Sequence, residues 1–408
     1  MNTLKERPLR ILAADDSAVM RSILWKLFLI HAKDRANDLP RMEMCGIARD
    51  GVECLEQTAR LQPDVLILDL EMPRLNGLDV LDRLRVESPE LPVIMCSAYT
   101  EHGARSTLEA LGRGASDYVT KPSRQNDFAA AMHSLSQQLL PRIAALAKET
   151  KDKEERRVKN VALDAPHRAQ SDDVAGNDST PIEVVVIGLS TGGPTALEQL
   201  LPKLPKNFPI PVLIVQHMPK LFTGALAERL DRSCPLHVQE AYDNAVIRPG
   251  TVWLAPGDAH MEVGRRRAMD DDDRSAEGRS FRIHLHQREP LNHCRPSVDY
   301  LFFSAAGIYG AGTLALVMTG MGADGLNGAR AVYESGGIVL AQDEATSAVW
   351  GMPGRVCEAG IASATLPLQG IANAVKQRVS ARRSTRVKSV PSTESIVVSK
   401  RENNYGLL

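Results

Sequence analysis

Four short apolar runs in the first third of the chain end in groups that could handle a phosphoryl group. Residues 9–14 lead into Asp15 and Asp16, residues 65–68 into Asp69, residues 91–96 into Ser97, and residues 118–120 into Lys121 and Pro122. If these runs are strands of one parallel sheet, function collects beyond their carboxyl ends. One edge would then carry three carboxylates, a hydroxyl and an ammonium group. Carboxylates that close repel one another unless a cation sits among them, and an all-oxygen site suits Mg²⁺. The metal and the lysine would also neutralise charge on a phosphoryl group moving onto a carboxylate. A single acid at a strand end needs no explanation, because loops are polar. The four positions in this order do.

A second set lies farther along. The apolar run at 183–187 enters Gly188-Leu189-Ser190-Thr191-Gly192-Gly193-Pro194, and a helical pattern follows from Thr195 to Leu201. A serine there sits in a tight strand-to-helix turn. Glycines permit the turn, and the free N–H groups of a helix start can face an oxyanion. Gly188-x-Ser190-x-Gly192 matches the form of a nucleophile elbow. A phosphate-binding glycine loop is the alternative, but neither G-x-G-x-x-G nor a P-loop lysine is present. The serine needs a base and the base an orienting carboxylate. His217 ends the run 212–215, in Gln216-His217-Met218-Pro219, and Asp324 follows the run 313–318. The chain order is Ser, His, Asp, whereas α/β-hydrolases run Ser, Asp, His, so a different fold with convergent chemistry is expected. His284-x-His286 with His293 and Cys294 could bind a metal, but no carboxylate stands at fixed spacing. Asp270 to Asp273 reads as a solvated charge run.

These residues must be positioned by short apolar runs alternating with helical stretches, the pattern of βαβ units and parallel sheets. It occurs twice. Between the two blocks lie KETKDKEERRVKN and AQSDDVAGNDST, charged and poor in large apolar residues, which predict a helix extension and then a flexible linker. The expected organisation is a first domain over 8–140, a linker over 141–180, a second domain over 181–375, and a disordered basic tail over 376–408. Residues 31–43 lengthen the first helix-to-strand connection, and 265–280 predict a charged surface loop.

Length and composition fit this division. A chain of 408 residues exceeds one ordinary core. With 49 basic against 50 acidic residues, the net charge of −1 gives no overall pull toward nucleic acid or anionic membrane. The six cysteines are scattered singly, so no zinc knuckle or disulfide framework is indicated. The N-terminus lacks the apolar region of a signal peptide, and no apolar run approaches the about 20 residues of a membrane span. A cytoplasmic protein, without membrane insertion, is expected.

The first set resembles the receiver domain of bacterial response regulators: Asp-Asp after the first strand, Leu66-Ile67-Leu68-Asp69-Leu70-Glu71-Met72-Pro73 after the third, Ser97 after the fourth and Lys121-Pro122 after the fifth. The resemblance implies a flavodoxin-like doubly wound parallel sheet with Asp69 as phosphoacceptor. It implies Mg²⁺ held by Asp15, Asp16, Asp69 and the backbone carbonyl of Glu71. Ser97 and Lys121 would contact the phosphoryl group, with Tyr118 as the switch aromatic. The whole chain over roughly 8–375 resembles the chemotaxis protein-glutamate methylesterase family, also protein-glutamine glutaminases. The carrying motifs are Gly188 to Pro194, Gln216 to Pro219, Ala255-Pro256-Gly257, Arg295 to Asp299, Met318 to Gly325 and Ala341 to Thr346.

That likeness implies a C-terminal α/β doubly wound methylesterase domain with Ser190 as nucleophile, His217 as general base and Asp324 as its partner. It places Thr191 and Met321 near the oxyanion site, and no cofactor is expected for the ester chemistry. It further implies a histidine kinase as phosphodonor, a methylated chemoreceptor as substrate, and restraint of the hydrolase by the unphosphorylated receiver. A DNA-binding response regulator is the rival, but the second block carries no helix-turn-helix signature. A phospho-dependent scaffold with a dead hydrolase domain is the other.

Overall fold

The computed structural model describes residues 7–33, 39–122, 127–161, 180–265 and 281–387. Two parallel sheets organise them. The first block gives β1 (Leu9–Ala14), α1 (Ala18–His31), β2 (Met42–Ala48), α2 (Gly51–Leu61), β3 (Val65–Asp69), α3 (Gly77–Glu87), β4 (Val93–Ser97), α4 (Glu101–Gly112), β5 (Asp117–Thr120) and α5 (Phe128–Val161). Their sheet has the order β2-β1-β3-β4-β5, all parallel. This is the flavodoxin-like order, with the switch point between β1 and β3. β3 and β4 are buried along their whole length, as strands covered on both faces by helices must be. Side-chain caps start the helices: Asp50 accepts from the Val52 and Glu53 N–H groups, Asn76 from Asp79 and Thr100 from Gly103.

The second block gives β6 (Val184–Leu189), α6 (Gly193–Leu200), β7 (Val212–Gln216), α7 (Lys220–Ser233), β8 (His237–Glu240), β9 (Thr251–Leu254), β10 (His260–Arg265), β11 (Phe281–His286), α8 (Val298–Tyr309), β12 (Thr313–Val317), α9 (Leu326–Glu334), β13 (Ile338–Gln342), α10 (Met352–Glu358), β14 (Ala364–Leu366) and α11 (Leu368–Val387). Seven strands pair in the order β14-β13-β12-β6-β7-β9-β8, and β10 with β11 forms a separate antiparallel hairpin. The seven are parallel throughout. From β6 the chain winds outward to β7 on one side and later to β12 on the other. The switch point therefore falls beside β6, the strand that carries the serine turn.

The α/β architecture matches the expectation, while several boundaries differ. α5 continues past residue 140, through Pro141, to Val161. Ala131, Leu135, Leu139, Ile143 and Ala147 recur at four-residue spacing and are all buried, so an apolar stripe carries the helix past a proline that can donate no N–H. The remainder of the expected linker, 162–179, lies outside the described residues. The basic tail expected from 376 begins instead as helix. α11 runs to Val387, with Val375 and Val379 buried at helical spacing, and 388–408 lie outside the described residues. Of the 31–43 insertion, His31 is buried with Nε2 3.1 Å from the Pro40 carbonyl, and Met42 and Glu43 already belong to β2. The charged 265–280 stretch joins β10 to β11, and all of it after Arg265 is outside the described residues.

Candidate functional site

In the first domain the expected groups converge. Lys121 Nζ lies 2.7 Å from Asp69 Oδ2 and 3.0 Å from Asp15 Oδ2. Carboxylate oxygens of Asp15, Asp16 and Asp69 lie within 4.8 Å of one another, Asp16 exposed and the other two buried. Burial, and then repulsion from Asp15, pushes the Asp69 carboxyl up to about 6 despite the lysine. Burial raises Asp15 as well. Three oxygens this close, two of them under desolvation strain, fit a hard divalent cation. Ser97 is buried and its hydroxyl donates to the Gly103 carbonyl at 3.1 Å, so contact with a phosphoryl group would require a turn of the side chain. Glu71 is exposed.

In the second domain β6 and β7 pair with Leu189 opposite Gln216, so Ser190 and His217 leave the sheet side by side. The serine turn is pinned by three hydrogen bonds from two neighbouring strand ends. Ser190 N donates to the Thr319 carbonyl at 3.0 Å, Gln216 Nε2 to the Ser190 carbonyl at 2.8 Å, and Thr319 Oγ1 to the Thr191 carbonyl at 2.9 Å. Gly192 has φ +78°, the left-handed conformation that glycine adopts without strain. A Cβ on Gly320 would stand 2.7 Å from Ser190 Cβ, so the Asp324 loop can approach the serine only because that residue is glycine.

His217 Nε2 lies 2.8 Å from Asp324 Oδ2. The carboxylate is buried and fully engaged: Ser297 Oγ and Asn292 Nδ2 donate to Oδ1 at 2.7 and 2.8 Å, and the Val298 N–H donates to Oδ2 at 2.7 Å. Burial would raise the Asp324 carboxyl, but these donors, His217 first, hold it below the usual carboxylate range. An ionised carboxylate only accepts, so the neutral form of His217 carries its proton on Nε2 and keeps a lone pair on Nδ1. Burial alone would lower the imidazole pKa; the Asp324 hydrogen bond and the neighbouring Cys294 raise it. Ser190 makes no hydrogen bond to His217 among the described residues.

Ser297, Asn292 and Cys294 are the functional neighbours that the sequence did not single out for this site. Cys294 Sγ lies 3.6 Å from His217 Nδ1. The conceivable metal group of His284, His286, His293 and Cys294 is not assembled. His286 faces Glu262 and the His260 and Tyr300 rings, His284 Nε2 lies 3.3 Å from the Arg265 carbonyl, and Cys294 belongs with His217. Arg295-Pro296-Ser297-Val298-Asp299 was legible as a motif, but its use as a cradle for Asp324 depends on a fold-back across 25–27 residues.

The first domain reaches this site directly. Thr191 Oγ1, next to the nucleophile, donates to Asp117 Oδ2 at 2.7 Å. Thr195 Oγ1 donates to the Leu111 carbonyl at 3.3 Å, and the Trp350 N–H donates to Glu149 Oε1 at 2.8 Å. Phe222 stacks on Tyr118 at 4.7 Å and 14° between planes, and α4 packs on α7. Met321, expected near the oxyanion, packs with Val349 into the apolar cluster of the first domain.

Comparison with known proteins agrees with both halves. Residues 11–133 match the family model described as response regulator receiver domain, and residues 185–375 match CheB methylesterase. Proteins named protein-glutamate methylesterase/protein-glutamine glutaminase are similar along nearly their whole length. The one from Trichodesmium erythraeum is 40% identical over 91% of this chain and 99% of its own. That from Nocardioides is 41% identical over 92% and 96%, and that from Thermotoga maritima 38% over 89% and 96%. A receiver joined to a methylesterase domain in one continuous likeness places the chain in the protein-glutamate methylesterase/protein-glutamine glutaminase family.

Proposed function

We propose that the chain is a phosphorylation-controlled hydrolase that removes methyl esters from glutamyl side chains of chemoreceptors. Residues 8–140 act as the receiver and 181–375 as the hydrolase. Ser190 attacks the ester carbonyl while His217 takes the hydroxyl proton on Nδ1, the nitrogen left free by the Asp324 hydrogen bond. The tetrahedral oxyanion is held at the Thr191 side of the serine turn. The imidazolium, stabilised by Asp324, returns the proton to departing methanol, and water then hydrolyses the acyl-enzyme by the same steps in reverse. A glutamine side chain would follow the same course with ammonia leaving, which gives the glutaminase activity.

In the receiver, Asp69 accepts the phosphoryl group from a histidine kinase. Asp15, Asp16 and Asp69, with the Glu71 carbonyl, would hold Mg²⁺, which screens the incoming charge, while Ser97 and Lys121 meet the phosphoryl oxygens. Tyr118 reports the change at the domain contact. Among the described residues no helix is long and apolar enough to cross a membrane.

The observation that carries this proposal is the buried 2.8 Å His217–Asp324 bond standing beside the Ser190 turn on one sheet edge. Ser190→Ala tests it. Methanol release from methylated receptor should vanish while Asp69 still accepts phosphate, since the two sites belong to separate sheets. Near-wild-type methanol release would remove Ser190 from the mechanism and favour a non-enzymatic scaffold.

A further inference from the structure

Cys294 and His217 form a pair that the ester chemistry does not use. Sγ is 3.6 Å from Nδ1. Zinc binds thiolate sulfur at about 2.3 Å and imidazole nitrogen at about 2.0–2.1 Å, and at a tetrahedral angle those lengths separate the two donors by about 3.6 Å. The other ring nitrogen is held by Asp324, a buried carboxylate. A carboxylate–histidine pair of that kind fixes the tautomer and raises the basicity of a metal-binding imidazole. Asp324 itself is saturated by its donors and serves as orienter, although its oxygen lies within 4.8 Å of the other two donor atoms. Cys294 is half-buried and His217 retains 12% side-chain exposure, so an ion has access.

We infer that Cys294 Sγ and His217 Nδ1 form a binding site for a soft divalent cation, Zn²⁺, which switches the hydrolase off. Thiolate and imidazole select zinc over the hard cations that suit the acidic pocket of the receiver. Water completes the tetrahedron. On binding, the thiol loses its proton to solvent, and an imidazolium likewise releases its Nδ1 proton, before the metal takes the Nδ1 lone pair. The binding itself rests on geometry alone. The inhibition rests on the proposed role of His217, because the lone pair that the metal occupies is the one that would accept the Ser190 proton.

The test uses the full chain with excess Mg²⁺ present to fill the receiver pocket. Co²⁺ replaces zinc as an absorbing probe, since cobalt bound by thiolate shows a charge-transfer band that oxygen and nitrogen ligands do not give. Wild type should show that band and Cys294→Ser should lose it, with zinc affinity lowered at least about tenfold. Asp324→Asn should keep the band but weaken zinc binding about ten- to a hundredfold, as expected for an orienting partner. Zinc should inhibit hydrolysis of a small ester by wild type, and the inhibition curve of Cys294→Ser, scaled to its own zinc-free rate, should move to at least about tenfold higher zinc. Cys294→Ala should repeat these results, which guards against a folding defect of one variant.

Equal zinc affinity in wild type and both Cys294 variants, or a cobalt spectrum without the band, would overturn the site. Zinc bound through Cys294 with undiminished ester hydrolysis would overturn the inhibition. Absence of ester hydrolysis in metal-free wild type would instead fall on the proposed function, with the cobalt band still deciding the metal site.

Discussion

At the scale of single residues, two buried acids are tuned in opposite directions. Asp324 is held low by donors, which keeps it ionised and leaves the His217 imidazole pKa raised. A base with a raised pKa stays protonated, and therefore idle, to higher pH. Ester hydrolysis should accordingly climb with pH above neutrality as the imidazolium is lost. Asp324→Asn removes the charge that stabilises the imidazolium, so the inflection should move to lower pH while the plateau falls. A kcat/KM profile with the same inflection in both proteins would contradict the coupling. Asp69 is tuned the other way, up to about 6. A carboxyl raised on folding binds its proton more tightly in the native state, so its ionisation costs stability; the cost is full above the folded value, shrinks as pH falls below it and is gone only below the ordinary carboxylate value. Mg²⁺ offsets the same cost. Its stabilising effect, read as a rise in Tm of the full chain, should be large at pH ~7.5 and small at pH ~5, where protons compete. An equal rise at both values would show that the metal does not meet ionised Asp69.

At the scale of elements, β5 runs between the acidic pocket of the first domain and the serine turn of the second. β5 begins with Asp117, which holds the Thr191 hydroxyl and also accepts from Arg142 Nε at 3.1 Å. The next residue, Tyr118, stacks on Phe222 near the start of α7. The same strand leads to Lys121, the partner of Asp69. A phosphoryl group that draws Lys121 and Ser97 toward itself thus acts on a strand whose other end touches the residue after the nucleophile. Asp117→Ala removes that grip together with the Arg142 ion pair, at the cost of at least two charge-assisted hydrogen bonds. Basal ester hydrolysis should rise several-fold without phosphodonor, and the additional gain on phosphorylation should shrink. Unchanged basal activity would mean that Thr191 is not restrained through Asp117.

At the scale of the whole molecule, the receiver lies against the loops that line the serine edge. Between the domains is a cavity of about 640 Å³, lined from one side by Leu111, Ser116 and Glu149 and from the other by Gly192, Thr319 and Ala348. A receiver in that position would obstruct a bulky protein substrate more than a small ester. Removal of the receiver should therefore raise the rate on methylated receptor more than the rate on a small ester. The truncation has to extend through α5, because Glu149 and the α5 cluster contact the 349–350 segment; a cut at residue 145 would leave part of α5 in place. Initial rates on both substrates decide the matter. Equal enhancement on both would point to restraint within the site rather than to coverage, and no enhancement would shift the control to a positive effect of the phosphorylated receiver.

The sequence alone determined which groups meet at each sheet edge. Apolar runs of four to six residues flanked by turn residues can form little else than buried strands, and in a parallel sheet the residues after each strand share one rim. Asp15, Asp69, Ser97 and Lys121, and likewise Ser190, His217 and Asp324, were legible for that reason. Tertiary structure decided what lies across from those rims. Ser297 and Asn292 reach Asp324, and Cys294 reaches His217, only because the chain returns between β11 and α8, and no local periodicity encodes that return. The Thr191–Asp117 bond joins residues 74 apart from two separate sheets. Its partners depend on how two independently patterned domains dock. Such docking is set by the shape and charge of whole surfaces, and a local pattern of apolar and polar residues carries neither.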